Sequence, residues 1–429
     1  MIPTCNTGEV FQPIPVTTPN RGPLEGIVVL DFSTQKAGPM TTYSLAAMGA
    51  TVIKIEEPKG DATRRFAPFL SRGGEVTMWR KDADSMSIPA LARARGKHGV
   101  TLNLKTPQAL ELYREMVRRA DIVIENYASG TADKLGIGYE ATRAVNSRIV
   151  YCSISGFGAG CMPGRKALDI GIQAASGMML ANGQEGDPPI RVGMSIADSV
   201  SSLYATMGIT AALYRRERSG QGEYVDVSML GATTAFLASE EWQALEKLGQ
   251  PTRTGNFNVK ASPFGVFRCR DGHVAIGAGS RDPMAHDLFR IMGHPEWATD
   301  PRYATLSARC EHDGELCKAV AAWCRDRSVE EVEVPVAKAG IPVERVRSPS
   351  EAMADPLLVK RGELTQLEHP DLGVASGLNT FGLPIRFHCT EQGTGAAAPK
   401  LGEHNWVVYR DWLGFEEQRL RDWQAQGVF

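Results

Sequence analysis

The chain has 429 residues, a net charge of -2, 22% charged and 43% hydrophobic residues. That length suits two or three domains whose cores fold without staples, and the near-neutral balance excludes a strong field for nucleic acid or an anionic membrane. Residues 1–16 have no basic segment leading into a long apolar stretch, and no run approaches the ~20 apolar residues of a membrane span, so the expected location is the cytoplasm.

Residues 1–22 are rich in Pro, Thr and Asn and read as an arm. A β/α alternation follows. The apolar run 27–32 suits a buried parallel strand. Pro39 can open a helix over 40–48, Gly49 ends it, and 51–55 is the next strand. After a polar insertion, 100–104 reads as a strand, 107–120 as a helix and 121–125 as a strand. A short helix over 139–146 and a strand over 149–154 close the series. Strands separated by helical patterns predict a Rossmann-like, doubly wound parallel α/β domain. The first turn, 33–39, is not the dinucleotide Gly-x-Gly-x-x-Gly fingerprint. The Gly-rich stretch 155–160 is better read as a tight loop at the carboxyl end of a strand than as a phosphate cradle.

Residues 199–216 carry an amphipathic helix pattern, 224–228 a strand and 231–248 a helix. The segments 264–267 and 273–276 flank Arg270-Asp271-Gly272, a hairpin signal. This different grammar marks a smaller α+β domain over 225–335, between a large domain over 23–224 and a return segment over 336–429 that completes it. In the helical tail, 405–426, Trp406, Trp412, Leu413, Leu420 and Trp423 are expected to pack inward.

The eight cysteines form no disulfide framework. Cys310, Cys317 and Cys324 recur every seven residues, along one helix face if the pattern is continuous. Seven residues rise ~10 Å, too far for adjacent thiols to share a zinc with ~2.3 Å bonds. No metal site is expected.

Asp198, in RVGMSIADS (191–199), is the most telling single residue. It lies where an apolar run meets the start of a helix, whose N–H groups and dipole favour an anion. Such a carboxylate can be a helix cap or, beside a reactive acyl group, a nucleophile. Locally, the cap is the commoner outcome.

An ordered set of segments changes the balance. They are LEGIVVLD (24–31), AGP (37–39), GATVIKIE (49–56), GDATR (60–64), RGK (95–97), LNL (102–104), ADIVIEN (120–126), ISGFG (154–158), AGIP (339–342), DP (355–356), GEH (402–404) and the final GVF. In this order and spacing the chain resembles the family III CoA-transferases, the formyl-CoA transferase and carnitine-CoA transferase group, over nearly everything after residue 22. The resemblance implies an interlocked homodimer, with a heteromer of related chains as the alternative, and coenzyme A as co-substrate. It makes Asp198 the catalytic nucleophile, forming an aspartyl anhydride and then an aspartyl-CoA thioester, with succinyl-CoA or another dicarboxylyl-CoA as a candidate donor.

The same resemblance implies CoA contacts at Gln35, Lys36, Leu102, Lys105, Asn126, Lys134 and Lys166. Lysines suit the phosphates, and Leu102 an apolar contact with adenine. Glu57 departs from the family, some members of which have a basic residue there. The loop expected to cover the site contains 258–262, NVKAS, in place of the glycine run of oxalate-using members. Oxalate is therefore a poor expectation, and Lys260 is a candidate for the far carboxylate of a dicarboxylic substrate. The related α-methylacyl-CoA racemases use a His-Asp pair, where this chain has Leu168-Asp169. Losing the imidazole disfavours racemisation and leaves Asp169 either orienting the acceptor or capping the 170–177 run. The insertion 71–93, with Met78, Trp79 and Met86, is a candidate for shaping a roomier acyl pocket. The alternatives to intermolecular transfer are a CoA-thioester isomerase and a non-catalytic CoA-binding subunit.

Overall fold

The computed structural model describes residues 22–390, 393 and 396–429, so the expected arm and Cys5 lie outside the described residues. In chain order the first elements are β1 (Val28–Asp31), α1 (Ala37–Ala47), β2 (Thr51–Glu56), β3 (Phe69–Ser71), β4 (Glu75–Thr77), β5 (Met86–Ser87), α2 (Ile88–Ala94), β6 (Lys97–Thr101), α3 (Pro107–Arg119) and β7 (Ile122–Glu125). Next come α4 (Thr131–Lys134), α5 (Tyr139–Val145), β8 (Val150–Ser155), α6 (Asp169–Ala175), α7 (Met178–Ala181), α8 (Ile196–Ser219), β9 (Glu223–Ser228) and α9 (Met229–Leu237).

Six of these strands form one sheet in the order β6-β2-β1-β7-β8-β9, and every pairing in it is parallel. Counted among themselves the six run 3-2-1-4-5-6, the doubly wound arrangement. The strand order reverses between β1 and β7. At that reversal the connections leave in opposite directions and open a crevice at the carboxyl ends of the strands, beneath residues 32–36 and 126–127. Both faces of the sheet are covered, so the strands read as apolar runs. Leu30, Val123 and Ile53 point to a core shared with Tyr113, Met116, Tyr409 and Trp412. Val29, Ile122 and Ile124 point to the opposite core, with Leu45, Ala205 and Ile209.

The chain divides into two compact units. One contains the described residues of 1–176, 193–237 and 353–429, the other 177–192 and 238–352. The strand and helix expected to open the small domain belong to the first unit, because β9 pairs with β8 from Val150↔Glu223 to Ser155↔Ser228. In the second unit a three-stranded antiparallel sheet includes the expected hairpin, with Arg268 opposite His273. Its segment 182–188 is fastened by Arg253, which donates from Nε to Asn182 O (3.1 Å) and from Nη2 to Pro188 O (3.1 Å). The helix expected over 231–248 is two, Met229–Leu237 and Trp242–Lys247, one in each unit. The three evenly spaced cysteines also lie on two helices, Leu306–Glu311 and Asp313–Arg325. In the tail, Trp412, Leu413, Leu420 and Trp423 are buried in the first unit's core and Trp406 packs partly against it. Gly414, at φ 80, separates the Val407–Trp412 and Glu417–Ala425 turns.

One polar cluster lies inside the first unit. Asp31, at the end of β1, is fully buried, with Lys97 and Lys54 nearly so. Lys97 Nζ donates to Asp31 Oδ2 (3.1 Å), Thr42 Oγ1 (2.6 Å) and Pro39 O (3.0 Å). Thr42 Oγ1 donates to Asp31 Oδ2 at 2.6 Å, and Ser33 N to Asp31 Oδ1 at 2.9 Å. Lys54 lies 3.7 Å from Asp31 Oδ1 and donates to the Ser33 carbonyl. Burial pushes the Asp31 carboxyl upward, but Lys54, Lys97 and the two hydroxyls outweigh it and hold the group at about 2. Burial pulls Lys97 down to about 8, against the attraction of Asp31.

Removing one partner of a buried ion pair leaves the other charge uncompensated and costs roughly 3–5 kcal/mol. Asp31→Ala, which strands two ammonium groups, is expected to lose stability on that scale. Urea unfolding checks this, and an unchanged midpoint would show that the cluster is not structurally coupled.

Candidate active site

The turn after β1 forms the floor of the site. Gln35 takes a left-handed conformation at φ 63, costly for a residue with a Cβ, and hydrogen bonds on both sides hold it there. Gln35 N donates to Asp61 Oδ2 (3.0 Å), and Arg93 Nη1 donates to Gln35 O (3.0 Å). The preceding residue is gripped by Asn126, whose Oδ1 accepts from Thr34 N (2.7 Å) while its Nδ2 donates to Thr34 O (2.9 Å). Gly38 is required as well, since a Cβ there would sit 2.1 Å from Ser33 Cβ.

Asp198 lies across from this turn. It is the third residue of α8, and Ser195 occupies the cap position without a side-chain cap bond. Asp198 is therefore not the N-cap. Asp169 does the capping: its Oδ1 accepts from Ala197 N (2.8 Å) and Asp198 N (3.3 Å), and its Oδ2 from Gln173 Nε2 (2.6 Å). Asp169 was expected either to orient the acceptor or to cap the 170–177 run; its carboxylate caps the helix of Asp198. Gln173 also donates to Met194 O (3.1 Å), and Lys36 Nζ to Ser195 O (3.1 Å), so the entry to α8 is tied to both α6 and the β1 turn.

The electrostatics follow from this packing. Burial raises the Asp198 carboxyl, Asp169 raises it further, and Lys36 and Arg93 pull it back, leaving it at about 6. A helix start was expected to keep Asp198 ionised with ease; desolvation and the neighbouring carboxylate win instead. Lys36 is lowered by burial, with Asp198 acting in the opposite sense. Arg93 is likewise lowered by burial and supported by Asp198 and Asp61. The arrangement is a half-buried carboxylate, ionised at neutral pH, facing two half-buried cations. Such a group can attack a carbonyl.

The remaining residues expected at the site are placed unevenly. The side chain of Gln35 is exposed at the turn, and those of Lys105, Lys134 and Lys166 are exposed on loops and a short helix of the same unit. None of these three lysines has a carboxylate partner within ion-pair distance among the described residues. Leu102 is only 1% exposed and packs in the core, so its side chain has no free face for adenine. The amide of Asn126 is spent on Thr34. Lys260 is in the second unit, where its Nζ meets Glu240 (3.1 Å) and Glu241 (2.7 Å). It is already neutralised there, against the expectation of a free cation. In the Gly-rich loop, Gly158 N donates to Ser155 Oγ (3.0 Å), Ala159 N to the Asp226 carboxylate (3.0 Å) and Gly160 N to Ser129 Oγ (3.1 Å). Those donors are unavailable to a phosphate. A cavity of about 360 Å³ near this loop is lined by Glu125, Tyr139, Tyr151 and Tyr224 and includes neither Lys36 nor Asp198.

Arg93, Asp61, Ser195 and Gln173 escaped the sequence reading. Only the hydrogen bonds reveal them, since α2 reaches the site by packing against α1. The insertion 71–93 forms a three-stranded sheet, β4-β3-β5, followed by α2. Met78 and Trp79 are exposed, and what the insertion brings to the site is Arg93. Among the described residues no group of three or more His, Cys, Asp or Glu could hold a metal ion, and no helix is long and apolar enough to cross a membrane.

Residues 24–405 match the model of CoA-transferase family III, and the chain belongs to that family. It is 34% identical over 411 residues to a succinyl-CoA–D-citramalate CoA-transferase of Chloroflexus aurantiacus, covering 95% of this chain and 98% of that one. It is also 34% identical over 390 residues to a succinate–glutarate CoA-transferase of Agrobacterium fabrum, covering 90% and 95%. Among solved structures, a CAIB/BAIF family protein from Brucella suis superposes with a TM-score of 0.78 at 30% identity, over 92% of this chain and all of that one. The chain is an enzyme of the CoA-transferase type, and coenzyme A is its co-substrate.

Asp169→Asn keeps an oxygen acceptor for the α8 amides but removes the charge that helps to lift Asp198. A reaction that uses the ionised Asp198 carboxylate should fade as pH drops through about 6. In the variant that limb should move to lower pH in a pH–rate profile; an unmoved limb would show that Asp169 does not act on the Asp198 charge.

Proposed function

We propose that this enzyme moves CoA from a dicarboxylic acyl-CoA, of which succinyl-CoA is the type, to a second carboxylic acid through covalent intermediates on Asp198. The observation that carries the reading is the double hold on Asp198: its backbone N–H is bound by Asp169, and its carboxylate faces Lys36 and Arg93. The dicarboxylic class is supported by the names of the relatives, which act on succinate, glutarate and citramalate.

The steps balance without redox chemistry or net proton transfer. A carboxylate oxygen of Asp198 attacks the thioester carbonyl, the C–S bond breaks, and a mixed anhydride and CoA thiolate result. The thiolate attacks the Asp198 carbonyl, which breaks the anhydride and releases the donor acid as its carboxylate, leaving an aspartyl-CoA thioester. An acceptor carboxylate then attacks that carbonyl and expels thiolate, and the thiolate takes the acceptor acyl group, restoring Asp198. Each step exchanges one activated carbonyl for another, so the protein's task is positioning and stabilising the negative charge that develops. Lys36 and Arg93 supply positive charge beside the reacting carboxylate. Lys105, Lys134 and Lys166, free of carboxylate partners, suit the CoA phosphates. Asp169 orients the nucleophile through the backbone.

A second copy of the chain is proposed on α8, whose Leu203, Met207 and Tyr214 share one helical stripe and are 68%, 59% and 68% exposed. Light scattering should give twice the chain mass; a monomeric mass would remove the homodimer.

Asp198→Asn should abolish exchange and hydroxylamine-sensitive attachment of CoA, read by mass spectrometry of the peptide containing residue 198. Full activity would overturn the mechanism. The same variant should be more stable than the parent at neutral pH. A carboxyl raised by folding is penalised while ionised, and folding gains stability as pH falls from about 6 toward the ordinary aspartate value of 3.8. Asparagine lacks the charge, so the gain should be on the order of 1–3 kcal/mol after allowing for partial exposure, read as a higher Tm.

A further inference from the structure

Arg93 has more capacity than its known contact uses. Its guanidinium makes one hydrogen bond among the described residues, Nη1 to Gln35 O, yet a guanidinium carries five N–H donors in a planar fork suited to a carboxylate. It is half-buried and comes from α2, whereas Lys36 is bonded to the Ser195 carbonyl, three residues before Asp198. The two cations thus reach the nucleophile from different elements, with Lys36 fixed beside the entry to α8 and Arg93 beyond Gln35. When Asp198 is converted to its thioester it loses its charge. Lys36 then faces Asp169, whose oxygens are already occupied by the Ala197, Asp198 and Gln173 N–H groups, and Arg93 faces Asp61, whose oxygens accept from the Gln35 and Thr63 N–H groups and the Thr63 hydroxyl. Under the charge cycle proposed above, the site is most cationic when the acceptor must enter. Lys260, the other candidate for a distant carboxylate, is bound by Glu240 and Glu241.

We infer that Arg93 is a specificity residue that receives the second carboxylate of a dicarboxylic substrate while the first reacts at Asp198. This rests on the CoA-transfer reading given above and adds to it the group that separates dicarboxylic from monocarboxylic acids. It also gives the insertion 71–93 a chemical task, that of delivering a cation through α2. A monocarboxylic acid would leave the unused guanidinium N–H donors without a carboxylate to bond once Asp198 is acylated, since the oxygens of nearby Asp61 bond Gln35 and Thr63 instead, and the site would select against it by that lost bond.

The test uses the full-length enzyme with succinyl-CoA as donor and two acceptor sets, glutarate and adipate against butyrate and acetate, at a pH well above the Asp198 titration. Arg93→Gln retains a donor for the Gln35 carbonyl and removes the charge. The ratio of kcat/KM for dicarboxylic over monocarboxylic acceptors should fall about 10- to 100-fold, the value of one hydrogen bond to a charged group, chiefly through acceptor KM. Arg93→Lys keeps the charge and should retain most of the preference. Equal losses for both acceptor sets in Arg93→Gln would overturn the inference and assign Arg93 to supporting Gln35 alone. A parent enzyme that transfers CoA to monocarboxylic acids without preferring dicarboxylic ones would also overturn it while leaving CoA transfer intact. A parent enzyme that transfers CoA to neither set would remove both readings.

Discussion

The reacting end of the sheet depends on one buried carboxylate. Asp31 ends the central strand β1, and its oxygens gather Ser33, Thr42, Lys54 and Lys97 in a space without solvent. A lone carboxylate there would be protonated; two ammonium groups and two hydroxyls keep it charged. The consequence is geometric. Lys54 grips the Ser33 carbonyl and Lys97 the Pro39 carbonyl, so the turn between β1 and α1 is fixed at both ends. Only a turn held this firmly can keep Gln35 at a positive φ. The next layer, Asp61, Arg93 and Asn126, finishes what the ion cluster begins.

The Asp198 carboxylate is set by opposing forces. Burial makes a carboxylate a poorer anion but removes the water that would otherwise blunt its attack on a carbonyl. Asp169 sharpens this tension, because the atom that fixes the α8 backbone also places negative charge beside Asp198. Lys36 and Arg93 keep the balance on the side of the anion at neutral pH. The outcome is a carboxylate more basic than an exposed aspartate and still available. A helix dipole acting alone would have given a less basic carboxylate.

Part of this site was legible in the residues themselves. Asp198 stands out because an apolar run ending in a carboxylate at a helix start leaves a local mark, and because the ordered segments around it identify the family. Lys36 and Gln35 are legible only through the family resemblance, and the structure places them in the turn after β1. Arg93 and Asp61 could not be found: each is one polar residue in a stretch of many, and nothing in their spacing says that they meet at Gln35. Leu102 and Lys260 show the reverse failure, where a matching position carries a side chain already engaged, one by the core and one by two glutamates.

The sequence by itself determined the alternation of strands and helices, and with it the parallel sheet, because apolar runs of strand length between helical patterns can be buried only with helices on both faces. It also determined the family. Tertiary structure alone decided which strand joins which sheet, taking β9 into the large unit through pairing with β8. It likewise decided which charges meet around Asp198. Those outcomes depend on contacts between residues tens to hundreds of positions apart, whose energies are set by shared burial rather than by any local pattern.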